Sequence, residues 1–171
     1  MSNNLEKVTS EISACWAGLN SETTTAVRDL LIALTKTSEN EAWLDEIIKE
    51  QPAAKLLYSD PKYGFLLLAH SEKKDTYRVP HDHGMGWVFY AVQSGQMEMA
   101  TYKQITASNG KTDLVSRGKE IMNAGHCKVF LPGDIHDTLC LSDNFIQYRL
   151  TSSDFKEEIA SGRMTRFLNK R

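Results

Sequence analysis

Apolar residues recur every three or four positions through the first fifty residues, and the pattern then changes to alternation and short runs. Leu5, Val8, Ile12, Cys15, Trp16 and Leu19 lie at helical spacing and predict one amphipathic helix. Ser21 is placed to cap a second helix, in which Val27, Leu30, Leu31 and Leu34 share a face. Ser38 and Glu41 have the form of a capping box for a third, carrying Trp43, Leu44, Ile47 and Ile48, and Pro52 stops it. Beyond Pro52 the segments 64–70, 86–92, 96–106, 128–131, 136–141 and 145–151 read as strands. They are separated by turn-forming stretches such as QSG, ASNGKTD and PGD, a spacing that predicts an all-β sandwich or barrel. A short helix follows, with Asp154 and Glu157 as its capping pair, and then a basic tail, RMTRFLNKR, expected to be solvated. The expected organisation is one domain: a helical segment over 1–52, a barrel over 53–152, and a terminal helix and tail over 153–171.

Composition narrows the partners. A chain of 171 residues with 41% hydrophobic and 25% charged residues can bury a core, so disorder is not expected. A net charge of -2 gives no reason to expect nucleic acid or an anionic membrane as partner. No apolar run is long enough to span a bilayer, and no secretory signal pattern is evident. Three irregularly spaced cysteines, Cys15, Cys127 and Cys140, do not form a disulfide framework and fit a reducing, cytoplasmic setting.

The chemistry is concentrated in histidine. The chain has five, and VPHDHGMGWVFY holds two of them, His81 and His83. On an extended segment residues i and i+2 project to one side, so the two imidazoles can take neighbouring positions on one metal ion, while Asp82 points away. Pro80 favours the extended form by excluding the helical region for Val79. A third imidazole, His136, is delivered by the turn PGDIHD at the start of another apolar strand. His70 and His126 lack such context and read as surface or supporting histidines.

HDHGMGWVFYAVQSG followed by PGDIH resembles the two motifs of the cupin superfamily over roughly residues 53–152. The first motif carries HxH, then a glutamate, then a glycine. Counting back from Gly95 puts the glutamate position at Val88, which offers no ligand. The second carries Gly, two residues and His, matched by Gly133 and His136. The resemblance implies a cupin double-stranded β-helix, a jelly-roll barrel, behind the N-terminal helices. Three histidines without the glutamate resemble the three-histidine branch, whose thiol dioxygenases act on cysteine or 3-mercaptopropionate. This implies Fe(II) held by His81, His83 and His136, and oxidation of a small thiol to its sulfinate by dioxygen. Zn, Mn and Ni suit three imidazoles as well.

The family's Ser-His-Tyr relay is absent: Arg149 falls near its histidine and Thr151 near its tyrosine. For the family's early carboxylate-binding arginine the chain offers Lys55, or Arg78, which simple alternation puts on the face away from His81. Tyr90 shares a face with Val88 and is the candidate donor to a bound oxygen species, and Arg149 the candidate for a substrate carboxylate. Cys140 shares the face of His136 and reads as a buried core residue, and Met97 and Met99 as core filler. The alternatives to a thiol dioxygenase are a three-histidine metalloenzyme acting on a non-thiol small molecule (a carbon–carbon-cleaving dioxygenase, lyase or isomerase) and a non-catalytic metal-binding cupin.

Overall fold

The computed structural model describes residues 3–168. Three helices come first: α1 (Asn4–Cys15), α2 (Ser21–Leu34) and α3 (Ala42–Glu50). Nine strands follow: β1 (Lys55–Ser59), β2 (Leu66–Glu72), β3 (Tyr77–His81), β4 (Val88–Ser94), β5 (Gln96–Thr106), β6 (Thr112–Asn123), β7 (Cys127–Phe130), β8 (Ile135–Cys140) and β9 (Phe145–Thr151). A short α4 (Lys156–Ala160) closes the regular structure. The strands form two antiparallel sheets in the orders β1-β2-β9-β4-β7 and β3-β8-β5-β6. With β1 set aside, these are two facing four-stranded sheets whose neighbours alternate early and late strands, the double-sheet jelly roll expected from the sequence.

Alternation along the five-stranded sheet divides two cores. Leu67, Ala69, Phe89, Ala91, Tyr148 and Leu150 face the helices and pack with Val8, Ile12, Val27, Leu31, Leu34 and Ile47. Trp16 stacks on Trp87 at 4.7 Å between ring centroids, tying the end of α1 to the sheet. The other face looks into the barrel, where Val88, Tyr90 and Val92 meet Met97, Met99, Met122, Phe130, Cys140 and Phe145. The methionines and Cys140 are core, as the pattern predicts. Cys15 and Cys127 pack against the helical core from partly buried positions.

The helix starts differ from expectation. Asn20, rather than Ser21, caps α2 by accepting from Thr23 N–H. The box at Ser38 and Glu41 does not form. The Glu41 carboxylate instead accepts from the backbone N–H of Asn4 and from the Trp43 indole, joining the starts of α1 and α3. At α4 the Asp154–Glu157 pair does not form either: Phe155 occupies the cap position with φ 60°, and Asp154 accepts from Lys156 N–H. Most side chains of the tail's described part are exposed, as expected, but its backbone is not free. Thr165 and Phe167 pair with the edge strand β3, through Asp82 N–H to the Thr165 carbonyl and Phe167 N–H to the Pro80 carbonyl. Asn169, Lys170 and Arg171 lie outside the described residues. Among the described residues no helix is long and apolar enough to cross a membrane.

Candidate metal centre

His81 and His136 are cross-strand partners on β3 and β8, which places their rings side by side on the barrel face. His83 joins them from just past the end of β3, not from a continuing strand. A turn closed by Gly86 N–H to the His83 carbonyl holds it there, with Asp82 accepting from Gly84 N–H. Gly84 has φ +59°, which favours glycine, and a Cβ there would lie 2.2 Å from a Glu158 carboxylate oxygen and so displace that side chain. The three ring centroids are 4.6 to 5.2 Å apart. One ring nitrogen from each residue lies within 4.8 Å of the others, a grouping that can hold a metal ion. Asp82 takes no part in this grouping, and Val88 is wholly buried without a ligand atom.

The donor chemistry fits a metal. His83 and His136 are fully buried, and burial holds the first at a pKa of about 2 and the second well below its ordinary value. Burial lowers His81 as well. Neutral imidazole is the form that binds metal. The His81 Nδ1–H donates to the Val79 carbonyl at 2.8 Å, which leaves Nε2 as the free lone pair. Among the described residues His136 has no hydrogen-bond partner at either nitrogen, and His83 has none at Nδ1. Buried polar atoms without partners are uncommon and need a reason, and a metal ion supplies one. Phe130 stacks on His136 at 4.0 Å and Phe155 on His83 at 5.3 Å, fixing the planes of both rings.

These histidines open onto a cavity of about 520 Å³, whose lining includes Tyr90, Arg149, Arg78, His70, Met164 and Arg166. Tyr90 and Arg149 are cross-strand partners on β4 and β9. The Tyr90 hydroxyl lies 3.4 Å from His83 Nε2, and burial keeps the phenol protonated by raising its pKa. Arg149 lies over the Phe155 ring at 5.0 Å, and its buried Nε has no partner. Both candidates from the sequence therefore reach the cavity.

Arg78 reaches it too, against the alternation argument. The register slips between Arg78 and His81: three residues of β3 span two of β8. The extra residue of this bulge returns Arg78 to the side of His81. Its Nε donates to Glu72 at 2.7 Å. Lys55 is elsewhere, paired with Glu46 and Glu50 on the surface. His126 is exposed in a turn, as expected, whereas His70 lines the cavity with its Nε2 unpartnered. Sequence reasoning missed Glu72, Gln147, Met164 and Arg166. Alternation from Arg149 does point to Gln147. Nothing local announces Met164 or Arg166, which arrive through the pairing of the tail with β3.

No family model matches the sequence, and no curated protein does. Solved structures resemble parts of the chain at low identity. KdgF from Halomonas sp. is 15% identical with a TM-score of 0.44, the match covering 57% of this chain and 74% of that one. The cupin domain of Schizosaccharomyces pombe Cnp3 is 11% identical with a TM-score of 0.46, covering 69% and 71%. A cupin superfamily protein from Desulfitobacterium hafniense is 12% identical with a TM-score of 0.41, covering 59% and 76%. By its own strand order, the chain has the cupin-type jelly-roll fold behind an N-terminal helical segment, with three clustered imidazoles inside the barrel.

Proposed function

We propose that this protein is a mononuclear non-haem Fe(II) dioxygenase that oxidises a small thiol to its sulfinate. The observation that carries the reading is the donor set: two buried imidazoles and a half-buried third converge in the neutral form, and among the described residues no carboxylate joins them. His81, His83 and His136 would hold the metal. Bound there, Fe(II) would retain its full positive charge, which favours a thiolate, and would supply the one-electron chemistry that dioxygen requires. The reaction balances without another reductant: a thiolate and dioxygen give a sulfinate that keeps both oxygen atoms.

The protein's own groups bind and orient. Three guanidiniums, of Arg78, Arg149 and Arg166, face one carboxylate, Glu72, across the cavity lining, so the space favours an anionic ligand. Arg149 is the fork for the ligand's carboxylate, because its Nε is buried and unpaired while that of Arg78 is engaged. The Tyr90 O–H, beside His83, donates to an oxygen atom of the reacting group. Phe130, Phe155 and the inward methionines exclude bulk water. Three free cysteines suit the reducing cytoplasm.

A second reading keeps the site and changes the substrate to a non-thiol small molecule, with Zn, Mn or Ni as metal. It is favoured by Arg149 standing where a relay histidine is expected. Dioxygen uptake by anaerobically Fe(II)-loaded protein separates the two. The panel is cysteine, cysteamine, 3-mercaptopropionate, a diketone and a catechol-type acid, with His136→Ala as control. Uptake with a thiol, absent in the variant, supports the dioxygenase. No uptake with any thiol overturns it, and uptake with a non-thiol establishes the second reading.

A further inference from the structure

Oxidation of sulfur needs the histidines, an anion fork and a proton donor. The cavity contains a further set of groups that none of these tasks uses. His70 and Gln147 are cross-strand partners on β2 and β9, and Glu72 lies two residues beyond His70 on the same face. All three line the cavity. Each carries a buried acceptor with no partner among the described residues: His70 Nε2, Glu72 Oε2 and Gln147 Oε1. The Glu72 side chain is 6% exposed and Gln147 5%.

Their chemistry has one sign. The Ala53 backbone lies beside the other ring nitrogen of His70, and with the proton held on that side the buried Nε2 presents a lone pair. One oxygen of Glu72 takes the Arg78 Nε–H, and the second is left over with its share of the charge. Three unpaired acceptors, one of them anionic, form a patch beside the guanidinium of Arg149. A donor-rich cation can satisfy all three acceptors at once.

We propose that His70, Glu72 and Gln147 form a subsite for a primary ammonium group, so that the ligand of this cavity is a small zwitterion, with its carboxylate on Arg149. An ammonium has three N–H donors, one for each acceptor. Gln147 and Arg149 are alternate residues of one strand, with backbones about 7 Å apart. A small amino acid with a hydrogen bond at each end spans that interval. The inference takes from the proposed function that the ligand enters this cavity and places its carboxylate on Arg149, and the acceptors are not among the three candidate metal ligands.

The test is calorimetric titration of the anaerobic Fe(II)-loaded protein with ligand pairs that differ by one amine. The pairs are cysteine against 3-mercaptopropionate, and serine against 3-hydroxypropionate. The amino member of each pair is expected to bind at least about tenfold tighter. Glu72→Gln and, independently of the Arg78 ion pair, Gln147→Met are expected to bring that ratio close to one. Equal affinities within both pairs, or a preference that both variants retain, would overturn the subsite, since direct coordination of the amine would survive these changes. A variant-sensitive preference with no thiol-dependent oxygen uptake keeps the subsite and removes the dioxygenase. Oxygen uptake with no amine preference does the reverse.

Discussion

Replacing His136 by leucine should make the metal-free protein more stable and the metal-loaded protein less so. His136 is wholly buried and neither of its ring nitrogens has a partner. Each buried unsatisfied polar group costs about 1–3 kcal/mol, and an apolar side chain of similar size removes both costs. Against this stands the loss of the stack with Phe130 at 4.0 Å, worth about 0.5–1.5 kcal/mol. The net expectation is a gain of about 2 kcal/mol in the presence of chelator, or about 4–8 °C in Tm for a chain of this size. The metal side runs the other way. Fe(II) at a hundred times its Kd stabilises the native protein by about 2.7 kcal/mol, and a site with one imidazole fewer forfeits that. Anaerobic thermal melts of both proteins, with chelator and with Fe(II), should therefore show the order of Tm reversing between the two conditions. A variant that melts below wild type in chelator would refute the reasoning, because the imidazole would then be contributing stability without a metal.

Arg149→Met removes the anion fork and should raise KM for a carboxylate-bearing thiol about 10- to 100-fold, the equivalent of one charge-assisted hydrogen bond. KM for cysteamine and the Fe(II)-induced shift in Tm should not move, and a loss of that shift would place Arg149 in the metal site instead. Burial holds His70 at a pKa of about 4, below its ordinary 6.5. Its contribution to stability is therefore complete above pH 6.5 and is lost as the pH falls towards 4, by up to about 3 kcal/mol. His70→Gln should flatten that part of the acid limb in urea titrations at pH 7 and 4.5, and an unchanged slope would contradict the buried neutral ring. Gly86→Ala puts a Cβ 2.3 Å from the Phe155 ring and 3.1 Å from the His83 carbonyl. It should cost about 2 kcal/mol in chelator and weaken metal binding, because Phe155 stacks on His83 and under Arg149.

The helices and the inward strands were legible because each buries one face and so writes a clean period. β5 and β9 run over the residues their patterns predict. β6 was invisible for the opposite reason: from Thr112 to Ile121 it is exposed except for a half-buried Leu114, and it carries no apolar alternation to read. The pairing of His81 with His83 was foreseeable from spacing, though a turn and not a regular strand brings His83 round. Arg78 was misplaced because a bulge is a one-residue event, and counting by twos cannot detect it. Glu72 was missed because β2 runs two residues past the apolar run that ended at His70. Lys55 and the Ser38 box were overruled by tertiary partners, Glu46 for the lysine and the Asn4 backbone and Trp43 indole for Glu41.

Met164 and Arg166 wall the cavity from a segment that reaches β3 only after the chain has travelled round the whole barrel. Its contact with His81 spans a longer stretch of sequence than the pairing of His81 with His136. That wall is tied to the β3 edge by Asp82 N–H to the Thr165 carbonyl at 3.1 Å, Phe167 N–H to the Pro80 carbonyl at 2.7 Å and Thr165 N–H to Asp82 Oδ1 at 2.9 Å, and to α4 by Met164 N–H to the Glu158 carbonyl at 3.0 Å. Such a segment frays at far less free energy than the sheets need to open. The barrel thus has a door whose hinge and latch are ordinary backbone bonds, and the amides of Asp82, Thr165 and Phe167 should exchange with solvent as one unit, ahead of the strands behind them.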